Sequence, residues 1–138
     1  MPNENAIVAG DNWYAVIAAT AAIYAVGFLI YGLLFSKLWL GLSGYTKEQL
    51  KPHAWKMAIS PIMPILTAIG LALVLKMDHV TNIAHGVVDA FEIWFFLILP
   101  TRLYSFVYSP EKPGLLVMDS IHLLLGTLVG GAIVAGWR

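Results

Sequence analysis

Long apolar stretches without charge constrain this chain more than any other feature of its sequence. Residues 13–35 form the first of them and contain no Asp, Glu, Lys or Arg. At about 1.5 Å of rise per residue, a helix of this length exceeds a hydrocarbon thickness of about 30 Å. Only 12% of the 138 residues are charged, whereas a soluble domain has about a quarter. The sequence therefore predicts one integral membrane domain, with the lipid bilayer as its main surroundings.

Four apolar segments predict an all-α bundle of four transmembrane helices. The predicted spans cover residues 13–35, 57–75, 83–108 and 115–137. In the second span, Pro61 and Pro64 predict a kink or a loosened first turn, because proline removes a backbone donor. The third span could stop at Pro100, but we favour a bend and continuation, because the turn signal SPEKPG comes only later. Thr46 and the glutamine three residues later have capping-box spacing, which predicts a short surface helix near residues 47–51.

The basic residues divide unevenly between the two sides of the predicted bundle. One side has six, and the other has two: Lys37, Lys47, Lys51, Lys56, Arg102 and Lys112 against Lys76 and Arg138. The positive-inside rule then predicts that loops 36–56 and 109–114 are cytoplasmic and that both termini are on the non-cytoplasmic side. The first twelve residues contain Glu4 and Asp11 but no Lys or Arg, which also argues against a cleaved signal peptide.

Several function classes receive no support from the sequence. The net charge is zero, which argues against a nucleic-acid partner held by phosphate neutralisation. There is no cysteine, so disulfides and thiolate metal sites are excluded. No nucleotide-binding loop, serine triad or zinc-protease motif is present, so an enzyme is the least favoured interpretation. Gly126 and Gly130 form a GxxxG pair that predicts tight helix packing, which we expect between copies of the chain.

Four motifs together resemble a known family. They are Asn12-Trp13, Gly27-x-x-x-Tyr31-Gly32-x-x-Phe35-Ser36-Lys37-x-Trp39, Asp119 with His122, and Gly131-Ala132-Ile133 followed by Trp137. The chain resembles the small bacterial four-span membrane family catalogued as domain of unknown function seventeen sixty-one. The resemblance implies the four-span fold and a multi-pass location in the bacterial cytoplasmic membrane. It implies no activity and no functional residues.

Ionisable residues inside the third and fourth spans are the candidate functional residues. Each costs about 2.5–3.5 kcal/mol near the bilayer centre, so we expect these side chains to turn inward and find partners. The two spans are antiparallel and joined by a short turn. Counting back from that turn predicts a buried Arg102–Asp119 ion pair, with His122 beside Thr101. The pair could fix the helix register, or it could act as a gate or proton relay.

A second group lies deeper in the third span. His85, Asp89 and Glu92 are spaced i, i+4 and i+7 and therefore share a helix face. At the depth of Glu92 the other spans offer Thr20 and glycines but no cation. Glu92 is then either a neutral, hydrogen-bonded carboxyl or, with Asp89, a proton- or cation-binding group in a small aqueous pocket. Thr20, Tyr24, Gly27 and Tyr31 are spaced i, i+4, i+7 and i+11 and lie on one stripe, which is either a packed helix face or the wall of a polar cavity.

A metal site is the remaining possibility for these residues. Carboxylates and a carboxylate-x-x-histidine pair such as Asp119 and His122 are the ligand types of di-iron helix bundles. However, His85 belongs to the opposite half of the bilayer from His122, and the helical rise separates them by more than about 10 Å. We therefore expect no metal, no shared haem and no other cofactor.

Two functions follow as hypotheses. The leading one is a packing or accessory module that works in a homo-oligomer or with another membrane protein. The alternative is a minimal proton- or cation-coupled transporter or channel that uses Asp89 and Glu92.

Overall fold

Every element of the structure, a computed structural model that describes residues 12–137, is helical. The elements in chain order are α1 (Trp13–Gly27), a π-helical segment (Phe28–Leu34), α2 (Ser36–Ser43), α3 (Lys47–Leu50), a 3-10 segment (Lys51–Ala58), α4 (Ile62–Met77), α5 (Ile83–Ile93), a second π-helical segment (Trp94–Ile98), α6 (Leu99–Val107) and α7 (Pro113–Gly136). No strand occurs among these residues, so the all-α prediction is confirmed. Glu4, Asp11 and Arg138, which entered the charge argument, lie outside the described residues.

Three helices are long and apolar enough to cross a membrane: Trp13–Leu34, Ile83–Val107 and Pro113–Gly136. The count rises to four if Lys47–Ala58 and Ile62–Met77, bent by 46° at their junction, form one span. The predicted second span, 57–75, includes the end of the 3-10 segment and most of α4, which begins at Ile62 and ends at Met77. Pro61 is the N-cap residue of α4 and Pro64 lies in its first turn, where a missing N–H breaks no intrahelical hydrogen bond. The prolines therefore lie at the start of α4, where the chain bends by 46° from the preceding segment, in agreement with the predicted kink or loosened first turn.

The third long helix passes through Pro100 without stopping, as favoured from the sequence. Proline has no N–H to donate to the carbonyl four residues earlier. Just before it, the backbone changes to π-helical pairing, in which the Leu99 N–H bonds to the Trp94 carbonyl five residues back. This local change is a known way for a helix to absorb a break in its ladder.

Helix α7 is the centre of the bundle and packs against α1, α4 and α5. Helices α5 and α7 approach each other closely. A Cβ atom added to Gly86 would lie 2.3 Å from the Ala135 Cβ, and one added to Gly131 would lie 2.7 Å from the Ala90 Cβ. Small residues spaced by four on both helices thus let the two backbones pack closely.

Gly126 and Gly130 pack helices of the same chain, which corrects the expectation that they join two copies. Both are buried. A Cβ on Gly130 would lie 2.9 Å from the Ile23 Cδ1 and 2.9 Å from the Leu71 Cδ1, and one on Gly126 would lie 3.4 Å from the Ile23 Cγ2. The side chains of α1 and α4 therefore fill the space above these glycines.

Capping residues determine where α3 and α1 begin. The predicted capping box is confirmed, because the Thr46 hydroxyl accepts from the Gln49 N–H at 3.2 Å and the Gln49 Oε1 accepts from the Thr46 N–H at 2.9 Å. Asn12 caps α1 and also donates from Nδ2 to the Trp137 carbonyl at 2.9 Å. The start of α1 and the end of α7 therefore lie at one end of the bundle, which we call the Asp78 end. We call the opposite end the Arg102 end.

Candidate functional site

Five polar side chains from four parts of the chain meet at the Arg102 end and form what we call the Arg102 cluster. They are Tyr31, Arg102, Glu111, Asp119 and His122. Arg102 donates from Nε to the Asp119 Oδ2 at 3.0 Å, and its Nη2 lies 2.9 Å from the same oxygen. On its other edge Arg102 holds both oxygens of Glu111, with Nη2 donating to Oε2 at 2.9 Å. The Tyr31 hydroxyl donates to the Asp119 Oδ1.

The planar guanidinium explains why two carboxylates can converge on one residue. Its donors form a fork that matches carboxylate geometry on more than one edge. The side chains of Arg102, Glu111 and Asp119 are only 12%, 17% and 24% exposed, so water screens them partly. The structure brings together Arg102 and Asp119, which the antiparallel count from the turn placed within one helical turn of each other. It also adds two partners that the sequence reasoning missed.

The missed partners had weak signals. Glu111 belongs to the SPEKPG segment, from which we predicted only a turn. Because the turn is short, a carboxylate within it must lie near the ends of both helices that it joins. Tyr31 read as part of the stripe with Thr20 and Tyr24. The π-helical segment at Phe28–Leu34 takes more residues per turn than an α-helix. This shifts Tyr31 from the position that α-helical spacing gives it.

His122 does not lie beside Thr101 as predicted. Its ring packs edge-on against Tyr31, with centroids 4.8 Å apart and planes at 71°. A Cβ added to Gly27 would come within 3.0 Å of the His122 Nε2, so the glycine leaves room for the imidazole. Thr101 instead donates to the Leu97 carbonyl of its own helix at 2.6 Å. The imidazole thus faces the first span and not the third.

The Arg102 cluster is a partly buried network of ion pairs. One guanidinium faces two carboxylates and has its donors committed to them, so it does not offer a free cation to an anionic ligand. The contacts join the first π-helical segment, α6, the turn after it and α7. The geometry therefore fits the interpretation in which the pair fixes the register of the spans.

A smaller group, Asp78, His85 and Asp89, lies at the Asp78 end, and we call it the Asp78 cluster. The His85 Nε2 lies 2.9 Å from the Asp78 Oδ2 and 3.6 Å from the Asp89 Oδ1. Hydrogen bonds with Asp89 and His85 hold the pKa of Asp78 below its ordinary value. His85 and Asp89 meet on one face as their spacing predicted. The sequence analysis did not include Asp78 in this group. The link 78–82 is short, however, and so keeps Asp78 close to the first turns of α5.

Glu92 does not join this group, and the expectation that it turns inward is wrong for the single chain. Its side chain is exposed. The reason is helical geometry, because Gly86 and Ala90 take the face that packs on α7. Glu92 lies two residues beyond Ala90 and is therefore turned by about 200° from that face. Among residues 12–137, Glu92 has no hydrogen-bond or ion-pair partner.

Thr20 and Tyr24 lie elsewhere. They line an apolar groove of about 610 Å³ between α1 and α4, together with Pro61 and Ile65. The Thr20 hydroxyl donates to the Val16 carbonyl of its own helix at 2.8 Å. The structure therefore does not bring Thr20 and Tyr24 to the carboxylates of Asp89 and Glu92.

Comparison with known proteins gives one match. A family model described as "Protein of unknown function (DUF1761)" matches residues 14–135. No curated protein and no solved structure matches the chain. The match covers the apolar helices described above, apart from Trp13 and Gly136.

Proposed function

The chain belongs to the DUF1761 family of proteins of unknown function, and we propose that it is an integral membrane module that assembles with a second copy through the outer face of its third span. We call this surface the Glu92 face. It contains Val88, Glu92 and Phe95, all exposed. These residues are spaced by three and four and so form one stripe along the helix.

The exposed Glu92 carries this proposal. It lies about 14 Å along the helix from Ile83, which is deep within a helix of this length. Val88 and Phe95 beside it are 54% and 46% exposed and are apolar. A carboxyl at such a depth is costly against acyl chains, and intramembrane ionisable residues almost always face protein or water. A protein surface that covers Glu92 removes this cost.

A second copy suits this face better than a cationic partner within the same chain. The basic residues that the structure describes lie toward the two ends of the bundle, and Arg102 is already paired. In a twofold pair the same patch meets itself, so Glu92 would face Glu92. Two carboxyl groups that share a proton can hydrogen-bond to each other. This pairing needs no further ionisable group at that depth.

We also propose an orientation for this assembly in a bacterial cytoplasmic membrane. The Arg102 end has Lys37, Lys47, Lys51, Lys56, Arg102 and Lys112, whereas the Asp78 end has Lys76 among the described residues. The positive-inside rule then places the Arg102 end in the cytoplasm and the Asp78 end outside.

Cysteine cross-linking tests the Glu92 face, because the natural chain contains no cysteine. Val88→Cys is expected to form disulfide-linked dimers in oxidised membranes. Ile17→Cys is the matched control, since Ile17 is 65% exposed at a similar distance from the Asp78 end but on another face. Adding Glu92→Leu to Val88→Cys is expected to reduce the dimer several-fold, whereas Glu92→Gln retains hydrogen bonding and most of the dimer.

Three outcomes would overturn the proposal. Dimers of Val88→Cys that are no more abundant than those of Ile17→Cys would remove this face from any interface. Cross-linked products of Val88→Cys that contain a different protein would replace the second copy with another subunit. A pH-dependent ion flux in liposomes that Glu92→Gln abolishes would favour the transport function instead.

A further inference from the structure

Three side chains that can ligate a metal ion meet at the Asp78 end of the bundle. The donor atoms of Asp78, His85 and Asp89 all lie within 4.8 Å of one another. We propose that these three residues bind a divalent transition-metal ion, with Zn²⁺ as the ion that fits the donor set best. The site is separate from the Glu92 face, and the inference does not rest on the proposed assembly.

The distances suit a small tetrahedral ion. Zn²⁺ binds imidazole nitrogen and carboxylate oxygen at about 2.0–2.2 Å, which places neighbouring ligands of a tetrahedron about 3.3–3.6 Å apart. The His85 Nε2 lies 2.9 Å from the Asp78 Oδ2 and 3.6 Å from the Asp89 Oδ1. These values bracket the required separation. The third pair of donors, the oxygens of Asp78 and Asp89, lies within 4.8 Å, so rotation of the two carboxylates would close the site around the ion.

The chemistry of the three residues also suits a divalent cation. The carboxylates of Asp78 and Asp89 both lie beside one imidazole nitrogen, that of His85. Two ionised carboxylates this close repel each other. A divalent cation bound between them would neutralise both charges at once. One imidazole with two carboxylates is a donor set that zinc accepts.

The backbone holds the ligands in place and leaves the site open. Asp78 is the C-cap residue of α4, and His85 and Asp89 lie one turn apart on α5. The Asn82 side chain caps α5 by accepting from the His85 N–H at 2.8 Å. The side chains of Asp78 and His85 are 56% and 41% exposed, so an ion can enter from solvent and keep a water ligand. Bound metal would tie the end of α4 to the start of α5.

Titration of Zn²⁺ into the purified full chain in detergent tests this proposal. The chain should carry a tag without histidine, and heat of binding gives the stoichiometry and Kd. We expect one Zn²⁺ per chain, and His85→Ala and Asp89→Asn are each expected to weaken binding at least about 10-fold. Asp78→Asn keeps the size of the side chain and gives the same loss, so the test does not depend on the folding of one variant.

His53→Ala and Glu48→Gln are the control variants, because both residues are exposed and lie outside the Asp78 cluster. Neither is expected to change the Kd. Equal Zn²⁺ binding by the natural chain and by His85→Ala and Asp78→Asn would overturn the proposal. A natural chain that binds no Zn²⁺, or that loses binding with His53→Ala, would also overturn it.

Discussion

Asp119 connects three parts of the bundle through a single carboxylate. One of its oxygens accepts from the Tyr31 hydroxyl, and the other accepts from Arg102. Because Arg102 is only 12% exposed, removing one partner would leave the other poorly hydrated. The loss of a hydrogen bond to a charged group costs about 1.5–3 kcal/mol. The Arg102 cluster should therefore matter more for stability than ion pairs on the surface.

Arg102→Gln tests this directly. The variant is expected to lower the free energy of unfolding by about 1.5–3 kcal/mol, measured by denaturant titration in detergent. Lys51→Gln is the control, since the Lys51–Glu48 pair has side chains 71% and 79% exposed. Its effect should stay within about 0.5 kcal/mol. Equal losses for the two variants would mean that the cluster contributes no more than an exposed pair.

At the scale of whole elements, the contact between α5 and α7 depends on small residues. Gly86 and Ala90 on α5 face Ala135 and Gly131 on α7, and the backbones are so close that an extra methyl group meets another side chain. In a bilayer, helices gain no hydrophobic free energy from leaving lipid, so close van der Waals packing supplies much of their association. These small residues therefore determine which face of α5 packs against α7, and Glu92 lies on the opposite, exposed face.

Gly86→Ala is expected to destabilise the protein by about 1–3 kcal/mol, because the new Cβ would lie 2.3 Å from the Ala135 Cβ and the helices must separate. Gly70→Ala on α4 is the matched control. Nothing lies within 4 Å of a Cβ at Gly70, so the change should be neutral or should stabilise the helix by up to about 1 kcal/mol. Thermal unfolding of both variants in one detergent gives the comparison. A stable Gly86→Ala would show that α5 and α7 are not in tight contact.

At the scale of the whole molecule, the bond from Asn12 to Trp137 bears on the number of crossings. It places the start of the first long helix and the end of the last at one end of the bundle. An odd number of crossings would separate those two residues by the thickness of the bilayer. We propose four crossings, with Lys47–Ala58 and Ile62–Met77 as one bent span, and the bond agrees with an even number.

Labelling of single cysteines tests the crossings and the proposed orientation together. Tyr45 and Thr81 are exposed and lie in connections at the Arg102 end and the Asp78 end. In intact cells, Thr81→Cys should react with a membrane-impermeant maleimide, and Tyr45→Cys should react only after lysis. The reverse result would invert the orientation. Labelling of both residues in intact cells would place them on the same side of the membrane and would contradict a span between Tyr45 and Thr81.

The sequence by itself determined the features that depend on local composition and on distance along the chain. Apolar stretches with few or no charges, long enough to cross the bilayer, predicted the long helices, and the spacing of Thr46 and Gln49 predicted a capping box that the structure contains. Arg102 and Asp119 could be placed within one helical turn of each other because a short turn fixes how two antiparallel helices align.

Only the tertiary structure decided which helix face is covered. Periodicity correctly grouped His85 and Asp89, but it could not show that Glu92 points outward. In a soluble helix the apolar stripe marks the inner face, whereas a membrane span is apolar on all sides. The inner face then depends on where small residues such as Gly86 meet small residues of a distant helix. Contacts of that kind, like that of Tyr31 with Asp119 across 88 positions, depend on packing between segments and not on local spacing.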